Sequence, residues 1–166
     1  MNKFDLTEKL KEELKKRNLW EQEDDEDDDN DQEETQDDDS DSSNSNDDFC
    51  EMACQILHSQ KQAHIFHLGT KSFAEHMALN GYYGEIDELV DGLIESFQGK
   101  YGLLTDYKSY KVQSYKNKNQ VLKYFTGLLN TIEEKRDCCD DSYIQNQIDG
   151  IQELIYSTMY KLKFLQ

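Results

Sequence analysis

Apolar residues recur along residues 49–164 mainly at three- and four-residue steps, the period of an amphipathic α-helix. The pattern predicts four helices, at residues 49–67, 73–98, 115–136 and 141–164. The chain contains no proline, which agrees with an all-α fold. The fourth helix shows the pattern most clearly, and its apolar positions step by four, three, four, four and three residues: Ile144, Ile148, Ile151, Ile155, Met159 and Leu162.

The predicted helix ends and connections organise these helices into a bundle. Asp47 and Asp48 are candidate caps for the first helix, and Gly69 suits a left-handed residue at its end. Ser72 and Glu75 are spaced as a capping box for the second helix. A longer connection, residues 99–113, separates the second helix from the third. Four helices with one long crossover at this place predict a ferritin-like four-helix bundle over residues 49–166.

Two further segments precede the bundle. Residues 1–20 predict a short amphipathic helix, with Leu6, Leu10 and Leu14 on one face; it either folds against a protein partner or docks on the chain's own bundle. Residues 21–48 contain seventeen acidic residues and no basic one, which predicts a disordered acidic linker. A solubilising spacer is the simplest interpretation of the linker, and nucleic-acid mimicry or weak binding of divalent cations are the alternatives.

The linker accounts for nearly all of the formal net charge of −18, because residues 49–166 hold twelve basic and fifteen acidic residues. No apolar run is long enough to span a membrane, and the amino terminus lacks the pattern of a signal peptide. The four cysteines form no C-x-x-C pair, so we expect buried thiols rather than a zinc or redox motif. Together these features predict a cytoplasmic protein in a reducing compartment, with no membrane partner.

The candidate chemistry lies in His64, His76, Asp91 and Glu95. Two imidazoles and two carboxylates suit iron, and also zinc or manganese. On one helix, His76 and Asp91 would be about 22 Å apart along the axis, at 1.5 Å per residue. One chain therefore cannot bring all four to a single ion. A second copy running antiparallel would let the histidines of one subunit meet the carboxylates of the other.

The stretch from His64 to Glu95 resembles the mini-ferritins of the Dps family, the starvation-induced DNA-protecting proteins. Seven positions match that family's pattern without a gap, over about 32 residues. Two positions depart from it: Ile65 stands where the family usually has Trp, and Ser96 where it commonly has Arg. The matching positions are His64, Gly69, Phe73, His76, Tyr83, Asp91 and Glu95.

The resemblance implies an iron site, possible oxidation of Fe(II) by peroxide or dioxygen, and a homo-oligomer that is at least a dimer and in the family a dodecameric shell. His64, His76, Asp91 and Glu95 would be the metal ligands, with no catalytic residue beyond them. Direct nucleic-acid binding is not expected, since phosphate binding depends on basic residues and this chain is acidic. The alternative is a non-enzymatic interaction or structural protein that keeps the bundle and recruits a partner through the helix in residues 1–20 and the acidic tether of residues 21–48. His58 and His67 are interpreted as packing residues.

Overall fold

The computed structural model describes residues 40–165, with side chains from residue 45 onward. It contains four α-helices: α1 (Ser40–Gly69), α2 (Phe73–Tyr101), α3 (Lys118–Lys135) and α4 (Ser142–Phe164), with a 3₁₀ turn (Arg136–Cys138) before α4. No strand occurs among the described residues. The prediction of an all-α four-helix bundle is therefore confirmed. The predicted helix in residues 1–20, and the linker up to residue 39, lie outside the described residues.

Each helix makes its most extensive contacts with two others. α2 contacts α1 and α4, and α3 contacts the same two helices from the other side. The pairs are antiparallel: Lys100 near the end of α2 binds Asp141 just before α4 at 2.5 Å, and Lys135 at the end of α3 binds Asp48 early in α1 at 2.7 Å. No described helix combines the length and apolarity needed to cross a bilayer.

The connection between α2 and α3 runs along α1 for most of its length. The Lys108 backbone N–H donates to the Cys54 thiol sulfur. Further along, the side chain of Gln62 is fully buried and makes two hydrogen bonds to the Gln113 backbone, at 2.7 and 2.8 Å. The crossover thus returns the chain to the carboxyl end of α1, where α3 begins.

The core consists of the apolar faces of all four helices. Phe49 of α1 and Phe97 of α2 stack with ring centroids 3.6 Å apart, and both are almost fully buried. Tyr82 is also fully buried, and its hydroxyl contacts Ser59 at 2.7 Å. The cysteines agree with the predicted thiols, since Cys50, Cys54 and Cys139 are buried, Cys138 is half-buried and all four are free.

Helix α1 begins at Ser40, nine residues before the predicted start at residue 49, so the last part of the predicted linker is helical. Contacts with the end of α3 explain the extension. Lys135 binds both Asp48 and Glu51, at 2.7 and 3.1 Å, and the Ser45 hydroxyl donates to the Cys138 carbonyl oxygen. Asp47 and Asp48 therefore lie inside the helix and do not cap it, contrary to the prediction.

Gly69 does not have the left-handed backbone conformation that was predicted for it. Among the described glycines only Gly102, which caps α2, has a positive φ (91°). Gly69 instead provides space: a Cβ built on it would overlap the Tyr115 Cβ and lie 3.1 Å from the Tyr115 Cγ. One of the two hydrogen bonds of the predicted capping box is present: the Ser72 hydroxyl accepts from the Glu75 N–H at 3.3 Å. The Glu75 carboxylate binds Thr70 and Tyr115 instead.

Candidate metal centre

The hairpin of α1 and α2 determines which site residues meet. The two helices are joined by the short turn 70–72, so residues at similar distances from the turn lie near each other. His67 and His76 stack close to the turn, and Phe49 and Phe97 stack near the other end of the hairpin. The histidines predicted as ligands thus lie at the turn end of the hairpin, one on each helix.

His67 and His76 form a stacked pair that bridges the two helices. Their ring centroids are 3.6 Å apart with 30° between the planes. The Nδ1 atom of each ring also lies within hydrogen-bonding distance of the other residue's carbonyl oxygen, at 2.9 Å from His67 and 3.3 Å from His76. His67 is buried and His76 half-buried.

These hydrogen bonds select the tautomer of each ring. A carbonyl oxygen can only accept, so Nδ1 must carry the proton when the bond forms. In a neutral imidazole the lone pair is then on Nε2. A histidine that binds a metal commonly uses this arrangement, in which one ring nitrogen donates to a carbonyl and the other binds the ion. His76 is therefore prepared to act as an Nε2 ligand.

His64 joins this pair through Tyr83. Its ring stacks on the Tyr83 ring with centroids 4.5 Å apart and 24° between the planes, and its centroid is 6.0 Å from that of His67. Tyr83 in turn lies edge-on to His67 at 5.1 Å. We call His64, His67, His76 and Tyr83 the histidine cluster. The two predicted histidine ligands, His64 and His76, are thus linked through His67 and contact different members of the cluster.

Asp91 and Glu95 lie elsewhere. Both are exposed, one turn apart, on the face of α2 that points away from the core. Among residues 45–165, no group of three His, Cys, Asp or Glu side chains lies close enough to hold a metal ion. One chain therefore does not assemble the four predicted ligands. Their meeting across two chains stays a prediction.

Ser96 has a structural role in this bundle. The Dps family, which the sequence resembles, commonly has Arg at this position. The Ser96 hydroxyl accepts from Gln147 Nε2 of α4 at 3.0 Å, and the same amide approaches the Gly92 carbonyl at 3.3 Å. The position supports packing between α2 and α4 instead of presenting a charge beside Asp91 and Glu95.

The remaining histidines, His58 and His67, were predicted to be packing residues. His67 is confirmed as one, because it is buried and hydrogen-bonded to the backbone. The sequence analysis did not predict its contact with His76, although both residues lie within four residues of the turn 70–72. His58 packs near the rings of Tyr110 and Tyr124, at 5.6 and 6.5 Å. Burial lowers the pKa of His58, as expected when a charged imidazole loses water.

Comparison with known proteins gives one family. The model of DUF5856, a family of unknown function, matches residues 67–162. The match covers more than half of the chain and includes His76, Asp91 and Glu95, whereas His64 precedes it. No curated protein and no solved structure matches the chain. The chain therefore belongs to DUF5856, a family whose function is unknown.

Proposed function

We propose that this protein is a ferritin-like bundle, related to the Dps mini-ferritins, that binds iron at a site shared by two copies of the chain. His64 and His76 of one copy would supply neutral nitrogen ligands. Asp91 and Glu95 of the other would neutralise the charge of the ion, with Glu95 able to bridge two ions. Iron would supply the electron chemistry for oxidation of Fe(II), and the protein the ligands and their orientation.

The observation that carries the proposal is the arrangement around His76. Its Nδ1 donates to the His67 carbonyl oxygen, which leaves the lone pair of the neutral ring on Nε2, and His64 lies in the same cluster. The connectivity of the helices also supports it, because a long crossover between the second and third helices is typical of ferritin-like bundles.

Symmetry specifies how two copies would meet. In a two-fold interface, residue i of one copy lies near residue j of the other and the reverse also holds. If His76 meets Asp91 and Glu95, the axis passes close to residue 84 of α2. Gly84 is exposed there, and a Cβ on it would contact nothing within the chain. A glycine at the crossing point lets two helices approach closely. Phe73 and Met77, which are 79% and 50% exposed, would be covered by the same contact.

Mixing two variants tests the shared site directly. His76→Ala and Asp91→Asn should each abolish stoichiometric Fe(II) binding in anaerobic calorimetry, because each variant alone damages every pocket. When the two are unfolded and refolded together, a mixed dimer has one pocket with both defects and one intact pocket. Random pairing should then restore about a quarter of the wild-type sites. His58→Ala is the matched control and should bind fully.

The outcomes separate the alternatives. No recovery on mixing, with both single variants inactive, would exclude a pocket completed by two copies of the chain. Full binding by His76→Ala would exclude the proposed ligand. Mass measurement of the native assembly accompanies each titration, since a strictly monomeric protein cannot form the shared site.

A second candidate is an interaction protein that keeps the bundle without iron chemistry. The engagement of Ser96 by Gln147 favours it, since this position does not support the carboxylates with a charge. In that case Leu10→Asp, which disrupts the apolar face predicted in residues 1–20, should abolish capture of a partner by the full-length chain. Iron binding by the wild-type protein would be absent under the second candidate and present under the first.

A further inference from the structure

The crossover and the first half of α3 carry a positive charge that the overall composition conceals. Residues 107–132 contain five lysines and no Asp or Glu: Lys108, Lys111, Lys116, Lys118 and Lys123. Four of them are exposed and Lys118 is half-buried. None forms an ion pair with an acidic residue in the described part of the chain, where Lys100, Lys135 and Arg136 supply the cationic partners.

This surface contains a groove of about 730 Å³. The volume is within the range of sites that bind small molecules, roughly 300–1,000 Å³. Its lining includes Lys116 and Lys123, five carboxamide side chains and Tyr124, and no carboxylate. The carboxamides supply both donors and acceptors, and the lysines supply positive charge. A ligand that suits this lining carries a negative charge and several polar edges.

One wall of the groove is held in place by hydrogen bonds. The Gln120 Oε1 atom accepts from the Lys116 N–H at 2.7 Å, and its Nε2 atom donates to the Ser114 carbonyl oxygen at 3.1 Å. The Asn117 side chain caps α3 by accepting from the Gln120 N–H at 3.0 Å. These contacts fix the end of the crossover against the first turn of α3, so Lys116 approaches the groove from a set backbone position. The positive end of the α3 dipole adds to the charge there.

We propose that this groove binds a phosphate-bearing ligand of nucleotide size. Lys116 and Lys123 hold the phosphate groups, and the carboxamides of Gln55 and Asn119 contact the polar edges of the base. Asn and Gln side chains recognise adenine in this way through paired donor and acceptor atoms. The ligand is either a free nucleotide or one nucleotide unit of a single strand. The acidic run in residues 21–48 repels a long polyanion and so favours the free nucleotide.

The test titrates the full-length protein with ATP in a metal-free buffer and follows binding by calorimetry. Lys116→Gln and Lys123→Gln should each weaken binding about tenfold, because each removes a charge-assisted hydrogen bond to phosphate. Lys163→Gln is the matched control: Lys163 is exposed on α4, outside the groove, and its loss should leave the affinity unchanged. Adenosine, which lacks phosphate, should not bind measurably.

A second variant blocks the groove without altering charge. Gly127 lines the groove, is exposed, and has open space where a Cβ would be. Gly127→Leu should fill this space and abolish ATP binding while α3 stays folded, since leucine favours a helix more than glycine does. Circular dichroism verifies the fold. Absence of saturable ATP binding, or equal affinity in the wild type and all three groove variants, would overturn the proposal.

A single-stranded oligonucleotide of ten deoxyadenosines distinguishes the two sources of the nucleotide. If the protein binds ATP and not the oligonucleotide, the ligand of the groove is a free nucleotide. Tighter binding of the oligonucleotide, lost in Lys116→Gln and Gly127→Leu, identifies the strand. Oligonucleotide binding that these substitutions leave unchanged would place the contact elsewhere and count against the groove.

Discussion

Substitution of Gly69 by alanine should destabilise the bundle even though alanine is the better helix former. Gly69 is the last residue of α1, and a Cβ there would overlap the Tyr115 Cβ. Tyr115 cannot move away freely, because its hydroxyl donates to the buried Glu75 carboxylate at 2.7 Å. Overpacking of this kind costs roughly 1–3 kcal/mol, whereas glycine-to-alanine in a helix interior gains at most about 1 kcal/mol and less at a helix end. We expect a net loss of about 1–2 kcal/mol.

The assay is equilibrium denaturation in urea, followed by circular dichroism. Gly150→Ala is the matched control: Gly150 lies inside α4 and its Cβ would contact nothing within 4 Å. That variant should be more stable than the wild type, by up to about 1 kcal/mol. If Gly69→Ala were stabilising as well, the contact with Tyr115 would not be the reason for glycine at this position, and our account of the turn would be wrong.

Two further expectations concern buried groups. Burial, followed by the neighbouring Cys54, raises the pKa of Cys50 from 9.0 to about 11. The thiolate is the reactive form, so at pH 8 the native Cys50 should react with iodoacetamide about 100-fold more slowly than in guanidinium, and its rate should still rise above pH 9. Glu75→Ala should cost about 1–3 kcal/mol in urea denaturation, because Thr70 and Tyr115 each lose an acceptor, whereas Glu75→Gln, which keeps an acceptor, should cost clearly less.

The helical pattern was predictable because each helix buries one continuous apolar face. The predicted α4, residues 141–164, agrees with the structure to within one residue at its start. The start of α1 was not predictable from this pattern. Residues 40–48 are polar, and the contacts that Asp48 and Ser45 make are with Lys135 and Cys138, which are distant in sequence. An apolar period records burial along one helix and contains no information about such ion pairs.

The role of Gly69 shows a second limit of sequence analysis. A glycine near a helix end indicates either a left-handed residue or a close approach, and local sequence does not decide between them. Here the decision depends on Tyr115, which the crossover places against the turn. The pairing of His67 with His76, in contrast, follows from the turn at residues 70–72 once both helices are known. The contact between these two histidines was therefore accessible from sequence, whereas the tautomer of His76 was not, because it depends on a backbone carbonyl of the neighbouring helix.

The two proposed sites share one physical feature, since each lies on a surface where charges of one sign are concentrated. The outer face of α2 carries Asp91 and Glu95 one turn apart, and like charges at this spacing repel on a helix. The groove along α3 has lysines without described acidic partners. These two sets of charges therefore lie on separate surfaces, whereas Lys100, Lys135 and Arg136 are paired with acidic residues. A cation on the α2 face and an anion in the α3 groove would each neutralise one surface. Because a ligand that binds only the folded state stabilises it, both proposals explain how such a separation of charge is compatible with a stable fold.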